Sequence, residues 1–156
     1  MTRKAEPPDL EAGDAHPYSI FYAQTRLLGF RPYGERAAIR PISEIGHGPF
    51  FAFCGIGNPQ AFFDDLSRWN VPVAGESIFR DHHRYTNDDL QRLEKAVQRA
   101  GAIAFVTTEK DAENLGHGKS TAIPIFVAVI DFVLTAESEF LGALERKLQS
   151  SPGVPA

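Results

Sequence analysis

The chain has 156 residues, one domain's worth, and its 43% hydrophobic and 23% charged content is ordinary for a globular protein with a real core. A net charge of -4 and a pI near 5.7 exclude the basic surface of a nucleic-acid binder. The single cysteine, Cys54, excludes an internal disulfide and a cysteine metal cluster, and no apolar stretch reaches membrane-spanning length or forms a signal peptide, so a cytoplasmic setting is expected, with peripheral membrane association left open.

Residues 1–18 are polar, proline-bearing and without periodicity, and read as disordered or a linker. Residues 19–28 (SIFYAQTRLL) are apolar and aromatic, and residues 39–45 are weakly strand-like. Together, within 19–48, they predict a short two-stranded ribbon, marginal without a body to rest on.

The body is expected over residues 49–149. Phe50 to Cys54 is a continuous apolar run, as in a strand buried on both faces. Gly55-Ile56-Gly57-Asn58-Pro59 breaks it, with Asn58 suited to cap a helix and Pro59 to begin it. Phe62, Phe63 and Leu66 continue at helical spacing. A second strand is expected within 71–79, then Asp81-His82-His83, then a helix over about 88–100 carrying Leu90, Leu93 and Val97 on one face and stopped by Gly101. Residues 102–106 form a third buried strand, followed by Thr107-Thr108-Glu109-Lys110-Asp111, where Thr108 can cap a short helix with Asp111 three residues on. A last strand lies within 123–134 and a last helix over about 136–149, with Phe140, Leu141, Leu144 and Leu148 as its apolar stripe. Residues 150–156 read as a tail.

Strand and helix alternate about four times, which predicts an α/β, Rossmann-like three-layer domain with a mostly parallel sheet. In such sheets ligands gather beyond the carboxyl ends of the strands. GIGNP, DHH and TTEKD all fall there, one after each of three successive strands.

Each motif also has a purely structural explanation. Gly55 and Gly57 could serve a tight turn through their backbone freedom, or leave N–H groups free for a phosphate. GIGNP is no dinucleotide fingerprint, because Gln60 stands where the third glycine belongs. Lys110 could reach a phosphate, with Glu109 or Asp111 orienting it, or could lie on a solvated helix face. Asp81 beside two imidazoles suits proton transfer or metal binding, or could be a polar turn. Gly118-Lys119-Ser120 ends like a Walker A loop, but Glu113 replaces the first glycine, and a helix precedes the loop where a strand should. It reads as a flexible loop. His16, His47 and His117 lack partners at ligand spacing and read as surface residues.

With these residues in view, the chain resembles the C-terminal portion of tetraacyldisaccharide 4'-kinase, the lipid A 4'-kinase. The resemblance covers about residues 21–148 and is carried by FAFCGIGNPQ at 51–60, by Phe79 with Asp81-His82-His83 and Tyr85, and by TTEKD at 107–111. It implies an enzyme that moves the ATP γ-phosphoryl group to the 4'-hydroxyl of a lipid A disaccharide 1-phosphate precursor, with magnesium, at the cytoplasmic face of the bacterial inner membrane. It also implies two α/β lobes joined by a two-stranded hinge, the ribbon within 19–45. Asp81 and His82 would then be the catalytic pair, while Gly55, Gly57, Asn58, Thr108 and Lys110 would bind substrate or phosphate; no metal ligand is expected in this chain. The P-loop, the magnesium carboxylates and the aspartate base belong to the first lobe, for which residues 1–18 leave no room. The chain is therefore expected to be inactive alone, to bind neither ATP nor Mg2+ tightly, and to need a separately encoded P-loop lobe as partner if it works at all. Two other readings stay open: a DHH-type metal phosphoesterase, and a non-catalytic α/β binding module.

Overall fold

The computed structural model describes residues 20–35, 38–116 and 121–150. The expected linker over 1–18, the Gly118-Lys119-Ser120 loop and residues 151–156 of the tail lie outside the described residues. The described residues fall into two compact units, one within residues 25–133 and one formed by residues 20–24 together with 134–150.

The larger unit follows β1 (Ala23–Pro32), a one-turn helix α1 (Ile42–Ile45), β2 (Phe50–Cys54), α2 (Pro59–Arg68), β3 (Val73–Ile78), α3 (Asn87–Ala100), β4 (Ala104–Thr108), α4 (Glu109–Leu115) and β5 (Ile125–Leu134). The strands form one five-stranded sheet in the order β1-β5-β4-β2-β3. β2 pairs parallel with both β3 and β4, and β4 pairs parallel with β5. Every residue of β2 is buried because the strand is central and covered on both faces. Its side chains alternate between the layers. Phe50, Ala52 and Cys54 pack with Phe62, Phe63 and Leu66 of α2, while Phe51 and Phe53 pack with Leu90, Leu93 and Val97 of α3. Phe53 meets Phe105 of β4 and Tyr85 edge-on, with ring centroids 5.6 and 5.4 Å apart.

Helix signals sit where the sequence places them. The Asn58 side chain accepts from the Ala61 N–H, and Gly101 takes the left-handed conformation after α3. α3 opens on a reciprocal capping box between Thr86 and Asp89.

The expected ribbon is corrected. Residues 39–45 do not form its second strand: Ile42–Ile45 is helical, and a lone bridge joins Phe30 to Arg40. β1 instead lies beside β5, with Tyr33 N–H donating to the Ile125 carbonyl and an Arg26–Asp131 ion pair at 2.7 Å. This partner is distant in sequence, so local patterning could not reveal it, and it brings the sheet to five strands rather than about four. In the smaller unit, α5 (Glu137–Ser150) follows, with Thr135 N–H donating to the Tyr22 carbonyl and Phe140 meeting Phe21 edge-on at 5.3 Å. Leu141, Leu144 and Leu148 of its apolar stripe remain exposed. No described helix is long and apolar enough to cross a membrane.

Candidate functional site

The connections leaving β2 and β4 run in opposite directions. From β2 the chain goes through α2 to β3 on one side, and from β4 through α4 to β5 on the other. The carboxyl ends of these two neighbours therefore flank a topological switch point, where a crevice opens in sheets of this kind. The loop after β2 carries Gly55, Gly57 and Asn58, and the end of β4 carries Thr108 and Lys110. The loop after the edge strand β3 brings Asp81 and His82 alongside.

The exposed cluster is Asp81, His82 and Lys110. Lys110 Nζ donates to Asp81 Oδ1 at 2.7 Å and lies 3.3 Å from His82 Nε2. His82 Nε2 is 3.8 Å from Asp81 Oδ2. The hydrogen bond from Lys110 holds the Asp81 carboxyl below the usual carboxylate range. An ammonium has only donors, so its approach to Nε2 fits a ring whose proton is on Nδ1 and whose Nε2 lone pair is available. The His82 ring is 75% exposed, which leaves it open to an incoming group.

Backbone contacts hold this turn. His82 N–H donates to the Gly55 carbonyl at 3.1 Å and to Asp81 Oδ1 at 3.0 Å, and His83 N–H donates to the Arg80 carbonyl. His82 has φ of 58°, a left-handed conformation that a non-glycine residue adopts at some cost. Gly55 is needed for close approach: a Cβ there would lie 2.9 Å from the Arg80 carbonyl oxygen and 3.2 Å from Asp111 Oδ1. Neither Gly55 nor Gly57 has a positive φ, so the expected explanation through backbone freedom is corrected. A Cβ on Gly57 would make ordinary contact with Asp81 Oδ2 at 3.5 Å.

The expected phosphate donors are partly committed elsewhere. Gly55 N–H donates to Asp111 Oδ1 at 2.8 Å, and the Asn58 side chain is the cap of α2. The Thr108 hydroxyl accepts from the Asp111 N–H at 3.1 Å and donates to Asp111 Oδ2 at 2.6 Å, so it caps α4. Lys110 is the residue of this group whose charge faces outward.

The third residue of DHH turns away. His83 stacks on Phe79 with ring centroids 4.7 Å apart, and its Nε2 lies 3.0 Å from Asp89 Oδ2. Burial works against the ionised form of Asp89, but hydrogen bonds from the Thr86 N–H and hydroxyl, His83 and Arg92 outweigh it. They hold the carboxyl far below the usual range. Beside this turn an open depression of about 500 Å³ lies between Arg80, His83, Asp89 and Arg92. Among the described residues no three His, Cys, Asp or Glu side chains gather as a metal-binding set. Cys54 is inert in the core, where burial pushes its thiol up to about 12.

Sequence reasoning offered Asp111 as a residue that could orient Lys110, but missed that its carboxylate is buried and accepts a bond from Tyr85 Oη at 2.8 Å. The Thr108–Asp111 spacing signalled a helix cap, and nothing local in the sequence signalled the distant partners Gly55 and Tyr85.

The family model described as LpxK, tetraacyldisaccharide-1-P 4'-kinase, matches residues 11–149. Three similar curated proteins are each named tetraacyldisaccharide 4'-kinase. That of Mesorhizobium japonicum is 44% identical over 113 residues, covering 71% of this chain and 32% of the relative. That of Koribacter versatilis is 35% identical over 117 residues, covering 72% and 36%. That of Syntrophobacter fumaroxidans is 30% identical over 161 residues, covering 99% and 42%. The chain thus spans well under half the length of these relatives. Among solved structures, LpxK from Aquifex aeolicus, an "apo" form in complex with ATP, is similar with a TM-score of 0.51 at 16% identity. The match covers 85% of this chain and 39% of that one, and at this identity it speaks for the fold.

Proposed function

Because the chain belongs to the tetraacyldisaccharide-1-P 4'-kinase family, we propose that it is the second lobe of a lipid A 4'-kinase. The complete enzyme would transfer the ATP γ-phosphoryl group to the 4'-hydroxyl of the lipid A disaccharide 1-phosphate precursor, at the cytoplasmic face of the inner membrane. The observation that carries this reading is the convergence of Asp81, His82 and Lys110 beyond the strand ends at the switch point.

Phosphoryl transfer depends on positioning and on positive charge around the phosphates. The metal ligands and most of the ATP cradle are assigned to a P-loop lobe, which would close onto this rim. The β1–β5 pair would serve as the hinge. Within the chain, His82 presents Nε2 as a proton acceptor, or a ring N–H as a donor to a carboxylate base from the other lobe. Asp81 orients the turn and holds Lys110. Lys110 can exchange Asp81 for a phosphate oxygen as substrate arrives. The 156-residue chain by itself is expected to show no turnover with magnesium, ATP and the disaccharide acceptor.

The test joins the chain to the ATP-binding lobe of a relative and measures kcat and KM for the acceptor. His82→Ala is expected to lower kcat by about 100-fold or more, as loss of proton-transfer assistance does, with a smaller effect on KM. Asp81→Ala should lose less, and His83→Ala should act through stability. A normal kcat in folded His82→Ala removes the residue from the mechanism.

A further inference from the structure

We propose that Asp111 is the positioning residue of this rim, its buried carboxylate tying together the GIGNP, DHH and TTEKD segments so that Lys110 is held against Asp81 and His82. Asp111 is fully buried, and three donors from three segments converge on it. Gly55 N–H, in the loop after β2, donates to Oδ1 at 2.8 Å. Tyr85 Oη, from the segment joining the DHH turn to α3, donates to the same oxygen at 2.8 Å. The Thr108 hydroxyl, at the start of α4, donates to Oδ2 at 2.6 Å.

A carboxylate is what this geometry requires. All three partners donate, and a carboxylate offers acceptors on both oxygens where an amide offers one. Tyr85 is a permanent donor, since burial and then the Asp111 charge push its phenol far above the usual range. Gly55 in turn accepts from the His82 N–H, so the tie reaches the catalytic turn in one further bond. Lys110 adjoins Asp111 in the first turn of α4, so fixing Asp111 fixes where the ammonium can reach. Exposed ion pairs contribute little to stability, so the Lys110–Asp81 contact does not organise the rim. The buried bonds around Asp111 do.

The inference rests on reading Asp81, His82 and Lys110 as the working face, but its test needs no kinase activity. The Asp81 carboxyl is titrated by NMR in the folded 156-residue chain, in wild type, Asp111→Asn, Tyr85→Phe and Lys110→Ala. Lys110→Ala sets the limit, with Asp81 moving up toward the ordinary value of about 3.9 but kept below it by the bond from the His82 N–H. In Asp111→Asn, Asp81 is expected to move upward toward that limit, because Lys110 is no longer held in place.

The sign discriminates between the two roles. Loss of a nearby negative charge with the rim intact would move Asp81 downward, and a purely stabilising role would leave it unmoved. Either result in a folded variant overturns the proposal. Should Asp111→Asn fail to fold, Tyr85→Phe carries the test, since it keeps the charge and removes one tie. A smaller upward move is expected there, and no move overturns the proposal. Such a failure would leave the kinase reading standing, and loss of that reading through the kcat assay would leave the titration result intact.

Discussion

His82 combines an exposed ring with a strained backbone. Its φ of 58° costs a non-glycine residue roughly 1–2 kcal/mol, which glycine would not incur. Left-handed residues of this kind persist where surrounding structure fixes them, often at working sites. Here the Gly55 carbonyl and Asp81 Oδ1 both accept from the His82 N–H. Two variants separate ring from backbone, because both remove the imidazole. His82→Gly is expected to be more stable than His82→Ala by about 1 kcal/mol, read as the difference in urea midpoint times slope. Equal stabilities would mean that the turn relaxes out of the left-handed region in the alanine variant. In the joined enzyme both should lose kcat alike if the ring does the chemistry.

At the scale of elements, α3 anchors the DHH turn through Asp89. Its carboxylate accepts from the Thr86 N–H at 2.8 Å and the Thr86 hydroxyl at 2.7 Å, and pairs with His83 and Arg92. Thr86→Ala removes the cap and should cost about 1 kcal/mol. Asp89→Asn tests the charge. A carboxyl whose folded pKa is depressed adds stability above its unfolded value of about 3.9, and that contribution is lost as pH falls toward the folded value. Wild type should therefore lose stability on acidification below about pH 4, while Asp89→Asn is less stable at neutral pH and flatter in that window. Thermal melts from pH 7 to pH 2 check this, and parallel curves for the two proteins would contradict it. Elements with local signals were legible in the sequence. The buried run of β2, the Asn58 cap, the period of α3 and the Gly101 stop all depend on near neighbours. What stayed hidden depends on distant ones, such as the β1–β5 pairing, or on a side chain such as Asp111 whose partners lie 56 and 26 residues away.

For the whole molecule, the order of strand and helix already implied where ligands gather, because a parallel sheet sends each connecting loop to one end. The motifs met at that rim, but the sequence could not tell which of their polar groups face outward. Burial decided that: Asp111 and His83 turn in, while Asp81, His82 and Lys110 stay out. Burial also locates the folding unit. Both core clusters lie within residues 25–133, with their buried members running from Phe30 to Ala128. By contrast, Leu141, Leu144 and Leu148 of α5 are 48%, 45% and 67% exposed, so that helix adds little buried apolar area. A chain trimmed to residues 25–133 is therefore expected to unfold cooperatively. The Thr135–Tyr22 backbone bond and the Phe21–Phe140 ring contact both lie wholly within the removed segments, so the trimmed chain is expected to keep a Tm within roughly 4 °C of the full chain's. Calorimetry on the trimmed and full chains measures the difference. A trimmed chain without a cooperative transition would mean that residues 25–133 are not a folding unit by themselves.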